Sequence, residues 1–308
     1  MTIRNTRVLV TGGAGFIGSH LVAALARANR VTVVDDLSTG KLKNLDGARC
    51  DLVRSDVADP AIARSFAGIE VVFHLAAQVS VELSVQDPVA DARANVLGTV
   101  NVLECARRAG VRRVVLSSSS AVYGAADRVP TPETSPCQPD SPYAASKLAC
   151  EHFLFMYARL HALSAMALRY MNVYGLRQDP ASPYSGVISI FADRARRNLP
   201  LVVYGDGEQT RDFVAVADVV RANLLAAGSD ASAEVVNVGT GVQMSINRLA
   251  ALCARGRVPI EHRAPRQGDV RTSACDPSRA RALLGFTASV QPDEGIARYL
   301  DQIDSGAA

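Results

Sequence analysis

The chain has 308 residues, 48% of them hydrophobic, and 33 basic against 30 acidic residues leave a formal net charge of +3. That composition supports a large core, in one big domain or in a domain with a smaller lobe. Scattered arginines and a near-balanced charge give no footprint for nucleic acid, and no apolar run is long enough to cross a bilayer. No secretory leader is read ahead of the first strand, and no repeat or low-complexity segment interrupts the chain. The six cysteines (Cys50, Cys105, Cys137, Cys150, Cys253, Cys275) lack Cys-x-x-Cys spacing and read as reduced thiols of a cytoplasmic protein. The five histidines lack metal-ligand spacing, so no metal is expected.

Arg7-Val-Leu-Val-Thr11 reads as a short buried strand, followed by Gly12-Gly-Ala-Gly15-Phe16-Ile17-Gly18 and an apolar helical run to about Ala28. Glycines at 12, 15 and 18 permit a tight turn, close backbone approach to a pyrophosphate, and helix packing on the sheet. A second strand, Val31 to Val34, ends on Asp35-Asp36, where a dinucleotide fold puts a carboxylate on the adenosine ribose. That charge repels a 2′-phosphate and no arginine adjoins it, which favours NAD over NADP.

Further strands are expected at 52–55, 71–75, 112–117 and 165–169, alternating with helices at 88–109 and 142–162. The alternation predicts a doubly wound, Rossmann-type parallel sheet with helices on both faces. His74, closing the strand at 71–75, reads as structural. After residue 170 loops rich in Pro, Gly, Asp and Arg appear at 175–186, 204–212 and 264–276. Strands are expected at 201–204 and 235–238, and helices near 187–198, 215–227, 245–255, 277–284 and 293–303. This pattern predicts a smaller mixed α/β lobe of 172–211 and 242–308, with 1–171 and 212–241 forming the dinucleotide domain. The lobe is expected to close over the carboxyl ends of the strands.

Two local patterns carry chemistry. The strand at 112–117 runs into Ser117-Ser118-Ser119-Ser120, where one hydroxyl can hold a substrate oxygen and the others can satisfy a turn. Tyr143 lies four residues before Lys147, so both can face one side of a helix; Lys147 is one of just three lysines, with Lys41 and Lys43. An ammonium beside a phenol favours phenolate, and bringing its pKa from about 10 towards 7 takes roughly 4 kcal/mol. A solvated surface pair has the same spacing.

Together Gly12-x-x-Gly15-x-x-Gly18, Asp35, the serines before Tyr123-Gly124, and Tyr143-x-x-x-Lys147 resemble the extended short-chain dehydrogenase/reductases. Within that superfamily the chain is similar to the nucleotide-sugar 4-epimerases that act on UDP-hexoses. The likeness spans nearly the whole sequence and rests on four further stretches: Asp36-Leu-Ser-Thr-Gly40; His74-Leu-Ala-Ala-Gln-Val-Ser-Val81; Leu168-Arg-Tyr-Met-Asn172-Val-Tyr-Gly175; and Gly205-Asp-Gly-Glu-Gln-Thr-Arg211-Asp-Phe213.

The resemblance implies Tyr143 as acid/base, Lys147 as the residue that holds the nicotinamide ribose and lowers the tyrosine pKa, and Ser119 as the catalytic serine ahead of Ser118 and Ser120. It implies a cofactor shell of Gly12, Gly15, Phe16, Ile17 and Gly18; Asp35, Asp36, Ser38, Thr39 and Gly40; Asp56 and Val57; Leu75, Ala76, Ala77 and Gln78; and Asn95, Ser117 and Tyr170. Val81, Ser119, Ser120, Asn172, Val187, Tyr204, Arg211, Arg266, Asp269 and Ser273 are implied on the UDP-sugar. Arg211 and Arg266 have a separate physical rationale, since a buried diphosphate needs forked cationic donors. The family also implies a homodimer through the helices at 88–109 and 142–162.

Related dehydratases and decarboxylases carry a carboxylate beside the catalytic hydroxyl, whereas this chain has Ser120-Ala121-Val122. The resemblance therefore implies epimerisation at C4 rather than proton transfer at a second carbon. Ser273 is small where a large residue excludes N-acetyl groups, which implies room for UDP-GlcNAc and UDP-GalNAc beside UDP-glucose and UDP-galactose. Asn172 stands where enzymes for UDP-glucuronate carry threonine. The alternatives are a nucleotide-sugar dehydratase or 4-ketoreductase, and a non-catalytic NAD-binding sensor.

Overall fold

Seven short runs pair into one parallel sheet in the computed structural model, which describes residues 3–179, 186–266 and 268–306. The strands are β1 (Arg7–Thr11), β2 (Arg30–Asp35), β3 (Cys50–Arg54), β4 (Val71–His74), β5 (Arg113–Ser119), β6 (Ser164–Tyr170) and, after four shorter ones, β11 (Glu234–Val238). Their order is β11-β6-β5-β4-β1-β2-β3. Winding reverses between β1 and β4, so a crevice opens at the carboxyl ends of those neighbours. This is the Rossmann-type α/β architecture expected. Strands buried on both faces need no polar alternation, which is why β1 and β4 read as continuous apolar runs.

Five helices flank the first six strands: α1 (Phe16–Leu25), α2 (Val81–Gln86), α3 (Pro88–Ala92), α4 (Gly98–Arg108) and α5 (Pro142–His161). Leu21, Val22 and Leu25 of α1 pack on one face with Val219, Ala222 and Ala226, which lie on α7 (Val216–Gly228). Val102 and Leu103 of α4, with Cys150 and Leu154 of α5, cover the other face. Burial of the fully enclosed Phe66 and Phe73 contributes about 1.5–3 kcal/mol each.

Helix α1 stops at Leu25, short of the expected Ala28, because the Asn29 amide donates to the Leu25 carbonyl at 3.0 Å. The helix expected at 88–109 is three pieces. A π-helical turn, Arg93–Leu97, separates α3 from α4. Strand β5 runs to Ser119, so the serine run belongs to its carboxyl end.

A third core joins α6 (Val187–Arg196), α8 (Ile246–Ala254) and α10 (Pro292–Asp304). Three small ladders accompany it. β7 (Asn172–Tyr174) pairs with β10 (Phe213–Ala215), β8 (Leu201–Tyr204) with β13 (Ile260–Arg263), and β9 (Thr210–Arg211) with β12 (Met244–Ser245). Strand β13 was not expected, since all four of its residues are exposed and no alternation marks them. Ala280 and Leu284 of α9 (Ser278–Leu284) join the core beneath the sheet, so this segment leaves the lobe predicted for 242–308. Of the loops expected at 175–186 and 264–276, residues 180–185 and Gln267 lie outside the described residues.

Candidate active site

The crevice at the β1–β4 reversal is a cleft of about 950 Å³. At its floor Gly12 has φ +68°, and a Cβ there would lie 2.7 Å from the Ala76 amide nitrogen. A Cβ on Gly18 would lie 2.1 Å from the Gly12 carbonyl oxygen. Any side chain at either position would fill the turn where a pyrophosphate approaches the start of α1. Asp35 closes β2 and accepts from the backbone amides of Ala14 at 2.8 Å and Leu37 at 2.9 Å. Burial raises its pKa, and those amides oppose the shift. Asp36 accepts from the Ser38 amide at 2.9 Å and shapes the turn that follows.

Every residue of the implied cofactor shell lines this cleft except Asn95. Asn95 lies buried behind it, in the π-helical turn, and its side-chain oxygen accepts from the Gln78 amide at 2.8 Å. Residues not anticipated also line the cleft: Lys41, Ser55, Leu83, Met171, Arg177, Gln178 and Asp179. Lys41 pairs with Asp179 across the mouth. The Asp56 carboxylate accepts from Arg93, 3.0 Å away, at another edge. The glycine-like φ of Arg177 (67°) shows that its loop turns sharply, which no local sequence signal announces.

At the far end of the cleft Ser119, Tyr143 and Lys147 come together. The N-cap Ser141 accepts from the Ala144 amide at 3.3 Å, and Pro142 opens α5, so Tyr143 stands in the first turn. Lys147 is buried and its Nζ donates to the Ser117 carbonyl at 2.9 Å. The Ser119 hydroxyl stands close enough to the Tyr143 phenol to pull its pKa down. Burial nevertheless raises the phenol pKa, with Ser119 opposing it, and burial lowers the Lys147 pKa. The lowering of Tyr143 expected from Lys147 is therefore not a property of the chain alone, because desolvation outweighs the effect of Ser119. Of the serine run, Ser118 donates to Glu151 at 2.5 Å, while Ser120 opens a 3₁₀ turn and does not line the cleft. Ser119 remains as the hydroxyl facing Tyr143.

Of the residues implied on the sugar nucleotide, Asn172, Tyr204, Arg211, Arg266, Asp269 and Ser273 form a second cluster whose members do not line the cleft. Arg211 donates to the carbonyls of Thr210 and Val270 at 2.8 and 2.7 Å and pairs with Asp269. The Arg266 guanidinium lies 4.0 Å from the Tyr204 ring centroid, and the Ser273 amide donates to Thr210 at 3.1 Å. Asn172 reaches this cluster through its amide, 3.2 Å from the Asp212 carbonyl. Val187 starts α6. Val81, the first residue of α2, is 48% exposed and does not line the cleft; Leu83 does.

The family model for the NAD dependent epimerase/dehydratase family matches residues 8–239. The chain belongs to that family. Among its members, the chain is 44% identical over 306 residues to a UDP-glucose 4-epimerase of Mycolicibacterium smegmatis, covering 96% of this chain and 97% of the relative. It is 34% identical over 309 residues to a dTDP-glucose 4,6-dehydratase of Actinoplanes sp., covering 94% and 95% respectively. A solved UDP-N-acetylglucosamine 4-epimerase of Methanobrevibacter ruminantium M1, in complex with UDP-N-acetylmuramic acid, superposes with a TM-score of 0.95 at 36% identity. That match covers 99% of this chain and 100% of the other. This epimerase/dehydratase chain is thus NAD-dependent, and its glycine turn and Asp35 fit that cofactor.

Proposed function

We propose that this protein interconverts UDP-hexoses at C4 through a transient 4-keto sugar. The observation that carries the reading is the strip beside Ser119 and Tyr143, where Ser120, Ala121 and Val122 offer hydroxyl and methyl groups and no carboxylate. Epimerisation needs one proton shuttle at the 4-oxygen; dehydration needs a second, at C5 and C6. Tyr143 takes the proton of the 4-hydroxyl and returns it, Ser119 holds that oxygen, and Lys147 binds the nicotinamide ribose. Bound NAD supplies the acceptor and donor of the C4 hydride. Turning the keto sugar about its phosphate bond exposes the opposite face, while Arg211, Arg266 and Asp269 keep the nucleotide anchored.

The small Ser273 supports acceptance of N-acetylated sugars as well as plain hexoses. The family contains dehydratases, so 4,6-dehydration is the second reading. Turnover of UDP-glucose in D2O separates the two: epimerisation leaves carbon-bound hydrogens unexchanged, whereas dehydration places deuterium on the sugar. Deuterium incorporation would remove the epimerase reading.

Homodimerisation is part of the proposal. Val85, Val89 and Leu97, on or between the helices at 81–108, and Leu160 on α5 are exposed apolar groups. Among the described residues no helix is long and apolar enough to cross a membrane. The six unpaired cysteines support a cytoplasmic setting.

A further inference from the structure

One buried carboxylate has no part in the chemistry above. Asp91, on α3, is 1% exposed and does not line the cleft. A buried charge is costly unless it is hydrogen-bonded. Its Oδ1 accepts from the Gln78 side-chain amide at 2.8 Å and from the Asn95 amide at 3.1 Å. Asn95 Nδ2 also faces the Gln78 carbonyl at 3.1 Å and Ser146 Oγ at 2.9 Å. Ser146 in turn donates to the Tyr143 carbonyl at 2.9 Å. The π-helical turn widens the helix where Asn95 sits, and such turns recur at functional sites.

We propose that Asp91 is a positioning residue, which through Asn95 ties the cleft-lining loop at Gln78 to the turn of α5 that carries Tyr143 and Lys147. The cofactor-side wall and the proton-transfer residues come from different elements, and this chain of amides fixes one against the other. Its charge acts on the same centre: burial lowers the Lys147 pKa, and Cys150, Asp91 and Glu151 oppose that shift. Asp91 also adds to the rise that burial imposes on Tyr143.

The inference rests on the epimerase reading, so its test includes NAD content, which needs no turnover. Purified holoenzyme of Asp91→Ala, Asp91→Asn, Ser146→Ala and the Asp91→Ala/Ser146→Ala double variant is assayed for NAD per chain, kcat and KM on UDP-glucose. Asp91→Ala is expected to lose about tenfold or more in kcat and to retain less NAD, with KM within about threefold. Asp91→Asn keeps an oxygen for both amides and is expected to restore kcat to within about threefold of the parent. The double variant is expected to cost no more than Asp91→Ala, because both changes cut one chain. Unchanged kcat and NAD content in Asp91→Ala, or single effects that multiply in the double variant, would overturn the proposal. Should Asp91→Ala not fold, Ser146→Ala decides alone: a lower kcat at unchanged KM supports it, and parental kcat overturns it. A parent protein inactive on both UDP-glucose and UDP-GlcNAc would sink the epimerase reading, while NAD content would still report on Asp91.

Discussion

Glu151 and Arg169 form an ion pair inside the protein, with Arg169 Nη2 2.7 Å from Glu151 Oε2 and neither side chain more than 5% exposed. The pair stands directly behind the serine run. Ser118 donates to the same carboxylate, and the Arg169 guanidinium lies 4.7 Å from the Tyr123 ring centroid. Breaking such a pair leaves one charge uncompensated, so Glu151→Gln is expected to destabilise the fold by about 3–5 kcal/mol. Replacing both partners by Leu and Met is expected to cost much less. Equilibrium urea unfolding of the three proteins checks this ordering.

In the proposed mechanism Tyr143 transfers the proton and the neighbouring Ser119 holds the substrate oxygen. Tyr143→Phe keeps the ring and its packing while removing the proton. Its kcat is expected to fall by about 10²–10⁴-fold with NAD content unchanged, and Ser119→Ala to fall at the lower end of that range. Steady-state kinetics and absorbance of released cofactor provide the readouts.

His74 bridges Thr11 Oγ1 at 2.7 Å and Thr99 Oγ1 at 3.0 Å. Burial, with Lys147 nearby, lowers its pKa from 6.5 to about 3. A depressed folded pKa means that the unfolded chain binds the proton first. The His74 contribution is therefore whole above pH 6.5 and is lost progressively as pH falls from there towards 3. By pH 5 the loss amounts to about 2 kcal/mol. Unfolding free energies at pH 7.5 and 5 should show this slope in the parent and a flatter one in His74→Gln.

The proposed sugar pocket is tested at Ser273. A tyrosine there is expected to lower kcat/KM on UDP-GlcNAc by about tenfold or more while leaving UDP-glucose within about threefold. Equal losses on both substrates would show that residue 273 does not discriminate acetylated from plain hexoses.

Val89 is 77% exposed on α3. In the proposed homodimer this face is covered, so Val89→Asp is expected to shift the protein towards monomer in sedimentation velocity. A parent that already sediments as a monomer would contradict the dimer.

The sheet was legible because its central strands are buried on both sides and its first turn is punctuated by Gly12, Gly15 and Gly18; those signals are local. Most of the cleft lining was legible because its motifs lie on consecutive strand ends. Contacts made across the chain were not legible. Leu83 rather than Val81 lines the cleft because the first turn of α2 sets which side faces in, and nothing in the run Val-Glu-Leu-Ser announces it. Asn95 looked like a cofactor contact, but the π-helical turn seats it behind Gln78. Asp91 and Ser146 carried no motif; their roles appear only when α3 and α5 meet. Spacing likewise reports a lysine four residues from Tyr143 and says nothing of the desolvation that raises the phenol pKa in the chain alone.

The most direct test is proton NMR of the purified protein with UDP-glucose and then with UDP-GlcNAc, with no NAD added. Epimerisation at C4 requires growth of the anomeric signal of UDP-galactose, and of UDP-GalNAc, to a stable equilibrium ratio. Unchanged spectra with both substrates, persisting after NAD is supplied, would contradict it.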